Sequence, residues 1–325
     1  MNLRTITLCK RWCVAALVCV AAQGVAAQPF SFVALGDLPY GQAAQGYAPY
    51  KSLISSINQE RPNFSIHIGD FKSGSTLCSD EESKVQLGHF GLFDSALVFT
   101  PGDNEWTDCH RANNGGHDPL ERLQALRATF YKPGLSLGKQ PLAVLNQSTA
   151  APAFAKFVEN QRWTHQGVVF ATLHMVGSNN NFEVRDPRAV AEFFEREKAN
   201  IAWIREAFAS AAQTQAKAIV LAMQADVFEA KSLWEDFPAH SGFRASIGET
   251  LLPLAAKSNI PVLLIHGDSH VFRFDQPFML NKKPIPQLTR LEVPGASDVR
   301  AVHVTVDTRL RNPFAVRLLE PAAAP

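Results

Sequence analysis

Every Gly-Asp pair in the chain closes an apolar run: FSFVALGD (30–37), FSIHIGD (64–70), ALVFTPGDNE (96–105) and PVLLIHGDSH (261–270). Runs of this composition become buried strands, where an ionised side chain is expensive unless it is paired. The aspartates therefore belong where the strands end, and the glycine before each lets the backbone turn sharply there. If Asp37, Asp70, Asp103 and Asp268 emerge on one sheet edge, their carboxylates share a small volume and repel one another unless protons or cations neutralise them. The chemistry this suggests is divalent-metal binding, with His270 two residues past Asp268 able to add a nitrogen. The competing reading is four solvated turn aspartates with no shared site.

Periodicity shows which elements would bring these residues together. Apolar, β-branched or aromatic runs at 31–36, 64–69, 96–100, 167–176, 218–223 and 261–266 predict strands, and helical spacing predicts helices at 47–60, 118–131 and 186–213. Asp118 and Asp186 each precede a proline and read as helix N-caps rather than catalytic groups. Strands alternating with helices predict an α/β chain with largely parallel pairing, in which ligands bind beyond the carboxyl ends of the strands. Residues 288–319 alternate without helices and predict antiparallel strands completing a second sheet. Asp37, Asp70 and Asp103 stand 33 residues apart, but the segments between them are unlike one another, so the period is read as accidental. His67 and His174 inside strands, the Phe193-Phe194 pair and Trp203 read as structural.

The motifs GDLPY, IGDFKSG, PGDNEW, LAMQADVF and HGDSH occur in this order. They resemble those of the calcineurin-like metallophosphoesterases, which include purple acid phosphatases and phosphodiesterases. That family carries an Asp on the first strand, Gly-Asp on the second, Gly-Asn-His-Asp/Glu on the third, a lone His later and Gly-His-x-His near the end. The resemblance covers about residues 30 to 275. It implies a four-layer α/β/β/α sandwich with two mixed sheets, forming a single domain over 28–320 before a short tail, 321–325. It also implies Asp37 as the first-strand metal ligand and Asp70 as the carboxylate bridging two metals. Asp103 falls where the family has its Asn ligand, Asn104 at its catalytic His, Gln224 at the lone His, Asp268 at the first His of the last motif and His270 at the second. Pro39 stands where a further ligand often sits, and Tyr40 is given no role. Asp for Asn and Asp for His keep a metal-binding group, and Gln224 has a carbonyl oxygen to offer. This harder, more anionic set favours Mn or Mg, with Fe or Ca also compatible, over Zn.

The implied activity is metal-dependent hydrolysis of a phosphorylated small molecule. Asn104 can donate a hydrogen bond but no proton, which leaves His110, His117 and His266 as candidate acids. The loop DCHRANNGGHD (108–118) is rich enough in Gly and Asn to fold over the site. Lys72 with Ser73, Asn180 with Asn179, and His266 are candidate substrate contacts. The lost histidines also suit a second reading, a non-catalytic relative that binds a metal or a phosphorylated ligand. A serine-esterase reading of Gly267-Asp268-Ser269 is disfavoured by the order of its partners, since beyond the motif's own His270 only His303 follows.

The chain opens with three basic residues, about ten apolar ones and small residues around Val25 and Ala27, the order of a secretory signal peptide, with cleavage expected after Ala27. The apolar part is too short to span a bilayer. An exported chain, periplasmic or extracellular, loses Arg4, Lys10 and Arg11 and no acid, which turns a net charge of +1 into −2. Such a balanced surface gives no nucleic-acid or membrane signal. Export also leaves only Cys78 and Cys109, which are expected to pair in an oxidising compartment rather than remain separate buried thiols.

Overall fold

The computed structural model describes residues 28–41, 43–228 and 241–322; the expected signal segment and the last three residues lie outside them. All six predicted core strands form. They are β1 (Phe30–Leu35), β2 (Phe64–His67), β3 (Ala96–Phe99), β7 (Val168–Thr172), β8 (Ala218–Ala222) and β9 (Val262–His266). Further strands among the described residues are β4 (Leu137–Gly138), β5 (Leu145–Asn146), β6 (Gln161–His165), β10 (Arg273–Asp275), the hairpin β11 (Met279–Leu280) and β12 (Lys283–Pro284), β13 (Leu288–Glu292), β14 (Ala301–Val306) and β15 (Phe314–Leu319). One sheet runs β15-β14-β1-β2-β3-β4 and the other β10-β13-β9-β8-β7-β6-β5. Both are mixed, with parallel centres and antiparallel edges.

Alternation along the strands builds the layers. Phe32 and Ala34 of β1 point into a core shared with Phe170, Val220 and Ile265 of the second sheet. Val33 and Leu35 point the other way, onto the helices Ala43–Glu60, Asp80–Phe90 and Pro119–Phe130. On the far side of the second sheet, Ile219, Leu221 and Leu264 pack against Trp203, Ile204 and Ala207 of the helix Pro187–Gln213. The result is the predicted α/β/β/α sandwich. Asp118 and Asp186 cap their helices, accepting the backbone N–H of Leu120 and Arg188.

Two expectations need correction. The C-terminal strands do not form one antiparallel unit: β13 joins the second sheet parallel to β9, while β14 and β15 close the edge of the first. The 33-residue spacing of the aspartates also has a structural meaning. Val33 lies opposite Ser65, and Ser65 opposite Leu97, so successive βα units of equal length bring Asp37, Asp70 and Asp103 out nearly side by side.

Cys78 and Cys109 are disulfide-bonded across 31 residues, with Cα atoms 5.8 Å apart. A loop of that length is worth roughly 3 to 4 kcal/mol in the chain-entropy description. The double variant Cys78→Ala/Cys109→Ala is therefore expected to lower unfolding free energy by about 3 kcal/mol, read as a reduced urea midpoint with an m-value no smaller than that of the wild type.

Candidate metal centre

Each Gly-Asp pair lies one to four residues past the end of its strand, and the backbone there is unusual. Asp37, Asp70, Asp268 and His270 have φ of 52°, 53°, 75° and 63°. Left-handed conformations at non-glycine residues cost about 1–3 kcal/mol each and persist where the surroundings over-determine them, which happens chiefly at functional sites. The glycines contribute space as well as turning freedom. A Cβ at Gly102 would stand 2.0 Å from Asp70 Oδ1, and one at Gly267 would stand 2.1 Å from Asp37 Oδ2. Each of these glycines makes room for the aspartate of another motif. Gly267→Ala is expected to cost about 1–3 kcal/mol from overpacking and to weaken divalent-ion binding, as measured by urea unfolding and by Mn2+ titration.

Oxygens of Asp70, Asp103 and Asp268 lie within 4.8 Å of one another. Asp37 adjoins them through the Asp268 N–H, which reaches its two oxygens at 3.3 and 3.2 Å, and His270 Nε2 is 3.8 Å from Asp37 Oδ1. Asp70 is held by several donors: Tyr40 hydroxyl and Asn104 Nδ2 reach its Oδ2 at 2.8 Å each, and the Asn104 backbone N–H reaches Oδ1 at 3.1 Å. Ser178 Oγ lies 3.0 Å from Asp103 Oδ2 and 2.9 Å from Asp108 Oδ1, so its one O–H bridges the two carboxylates. Beneath the rim, Glu105 accepts the N–H groups of Gly102 and Asp70.

Burial, then mutual repulsion, holds Asp70 well above the ordinary carboxylate range; Asp37 is raised mainly by burial, against the Asp268 N–H. Burial also lifts Glu105 to about 7 and Asp108 to about 6. A rim of buried carboxylates that resist ionisation is the condition a divalent cation relieves, and three convergent carboxylates suit a hard cation. The donor set therefore fits a metal. Asp37, Asp70, Asp103, Asp268 and His270 are the residues that would hold it.

No protein-family model matches the sequence, and no curated protein matches it by sequence. Solved structures do match by shape. A dimetal phosphatase from Danio rerio superposes with a TM-score of 0.54 at 9% identity, over 90% of this chain and 99% of that one. PhoD gives 0.53 at 12%, over 92% and 71%. GAP50, described as the anchor in the inner membrane complex of Plasmodium, gives 0.50 at 14%, over 90% and 89%. The chain has the calcineurin-like metallophosphoesterase fold.

Within this metallophosphoesterase fold several predicted residues sit differently from expectation. Gln224 faces the carboxylates with its amide nitrogen, because its Oε1 accepts the Gly177 N–H at 2.6 Å. Lys72 is 2% exposed, and its Nζ donates to Ser73 O. Placed beneath the rim with Glu105 as its leading charge partner, it offsets the carboxylates rather than meeting a substrate. Asn180 is fully buried, its Oδ1 accepting from Arg196 and its Nδ2 donating to Gly242 O, so its side chain is held in the interior rather than offered to a ligand. His266 is fully buried beside Gly267 O, a core histidine. Asn104 spends its amide on Tyr40 and Asp70 and so positions Asp70.

His110 lies apart from the cluster, lining an adjoining cavity of about 580 Å³ with Thr107, Asp108, Arg111 and Ser178. Its Nδ1 bonds Thr107 O at 2.7 Å. His67 and His174 are structural, bonded to Leu38 O and to Glu159.

The sequence reading missed Tyr40, Glu105, Ser178 and Asp226, whose backbone N–H donates to Asp268 Oδ2 at 3.0 Å and whose carboxylate accepts from Ser269. Glu105 had a signal, since it stands at the acidic end of the third family motif. Ser178 had a weaker one: residues Ser178, Asn179, Asn180 and Asn181 all have left-handed φ of 51–58°. Asparagine tolerates that conformation best among non-glycine residues, so the Asn run marks the sharp turn that aims Ser178 at Asp103.

Proposed function

We propose that the chain is an exported, metal-dependent hydrolase of phosphate esters on small molecules. The observation that carries this is the convergence of Asp37, Asp70, Asp103 and Asp268 on one rim, within a fold shared with a dimetal phosphatase. When bound, divalent ions supply an acidified water and positive charge for the phosphoryl oxygens.

The chain's own groups do the rest. Tyr40 and Asn104 fix the Asp70 carboxylate, and Ser178 fixes Asp103. Arg111, with its side chain 45% exposed and paired to Asp108, stands at the cavity as a cation available to a phosphoryl group, as does Arg185. His110 has Nδ1 engaged by Thr107 O, which leaves Nε2 to carry a proton to the departing oxygen. The disulfide anchors the loop bearing Arg111 and His110, and its presence fits an oxidising compartment.

A proton donor matters only when the leaving oxygen is basic. His110→Ala is expected to slow hydrolysis of an alkyl phosphate by about 100-fold while changing p-nitrophenyl phosphate turnover little. Steady-state assays with Mn2+ on both substrates test this, and equal losses on the two would remove His110 from the acid role.

One observation favours the non-catalytic reading. At the position of the family's catalytic histidine stands Asn104, which has no proton to give and whose amide is already engaged. Purified protein that binds Mn2+ but hydrolyses neither substrate would decide for that reading.

A further inference from the structure

We propose that Gln224 makes the two halves of the metal centre unequal, so that the Asp70–Asp103–Asp268 half holds a divalent cation far more weakly than the half bearing Asp37 and His270. This rests on the reading of the rim as a metal centre. The Gln224 side chain is fully buried and held at both ends. Its Oε1 accepts the Gly177 N–H at 2.6 Å, while its Nε2 donates to Asp103 Oδ1 at 3.0 Å, Asp268 Oδ1 at 3.1 Å and Asp70 Oδ2 at 3.3 Å.

An amide N–H2 repels a cation, so a metal ion on these three carboxylates requires the amide to turn over and present oxygen. Turning it sets N–H2 against the Gly177 N–H, and a buried donor then loses its acceptor. Gly177 has little room to adjust, since a Cβ there would stand 2.7 Å from Asp103 Oδ2 and 2.8 Å from Asp268 Oδ1. Orphaning a buried N–H weakens binding by roughly tenfold to a hundredfold. Asp70 Oδ2 adds to the effect, because Tyr40 and Asn104 already donate to it at 2.8 Å. The Asp37 side is free of the Gln224 amide, and His270 presents Nε2 there.

The decisive variant is Gln224→Glu. It has nearly the same shape, keeps an acceptor for Gly177, and replaces the N–H2 by a carboxylate oxygen. Calorimetric titration of chelator-stripped full-length protein with Mn2+ is expected to show two classes of site in the wild type, at least tenfold apart. In Gln224→Glu the weaker class is expected to tighten by tenfold or more. Gln224→His, with folding of both variants checked by near-ultraviolet circular dichroism, gives a second route to the same shift. Two equal sites in the wild type, or titrations of folded variants that match it, would overturn the proposal while leaving the metal centre intact. No Mn2+ uptake by any of the three proteins would instead remove the metal centre itself.

Discussion

Asp70→Ala is expected to reduce Mn2+-dependent phosphate-ester hydrolysis by about 10³-fold or more, since metal-borne charge stabilisation is worth several kcal/mol and each 1.4 kcal/mol is a factor of ten. Asp70 lies at the middle of the rim: its carboxylate touches Tyr40, Asn104 and Gln224, and its N–H holds Glu105. Removing it withdraws a ligand and leaves the neighbouring donors unpaired. The same variant relieves repulsion among buried acids, so the metal-free chain is not expected to unfold. Thermal unfolding of the variant alongside its kinetics separates lost catalysis from lost folding. Full activity in Asp70→Ala would mean that the chemistry lies elsewhere.

The second large effect joins pH to metal. Asp37 and Asp70 are raised by burial, and Glu105 and Asp108 are lifted to about 7 and about 6. Unfolded carboxylates titrate near 4, so above that pH these four groups hold more protons in the folded chain than in the unfolded one. Their share of the stability then falls as pH rises, against buried His67, His174 and His266, lowered to about 3, 4 and 4, whose share rises up to about pH 7. The contribution of the four carboxyl groups is fully present below about pH 4 and is lost as pH passes their raised folded values. The Asp108 contribution is lost before that of Glu105. Chelator-treated wild-type protein is expected to lose on the order of 10 °C of Tm relative to a Glu105→Gln/Asp108→Asn double variant between pH 5 and pH 8, a difference in which the opposing buried histidines cancel. Mn2+ at 100 times its Kd is expected to return about 2.7 kcal/mol, most visibly at the upper end of that range. A Tm difference between the two proteins that stays constant from pH 5 to pH 8 without metal would contradict the electrostatics of the rim.

How much of this was readable in advance depended on how local the cause is. Strands such as 262–266 and the caps Asp118 and Asp186 are set by neighbouring residues, so pattern alone located them. The convergence of the four aspartates followed from one topological rule, that strand ends of an α/β sheet share an edge. Orientation at a distance was not legible. Whether Gln224 shows oxygen or nitrogen to the carboxylates is decided by the Gly177 N–H, 47 residues away in sequence. Asn180 looked available until Arg196 of a later helix closed on it. Lys72 looked like a surface loop cation, yet the loop folds it into the interior, within reach of the Glu105 charge. Equal crossover lengths also mattered more than the sequence suggested, since only the register between β1, β2 and β3 gives the 33-residue spacing its meaning.

The most direct measurement is metal content, by inductively coupled plasma mass spectrometry, of the full chain purified without chelator and of Asp70→Ala prepared in parallel. A rim of acids held together by cations predicts at least one divalent ion, Mn or Mg foremost, per wild-type chain and a clear deficit in the variant. Wild-type protein that carries none, and takes none up when Mn2+ is supplied, would contradict it.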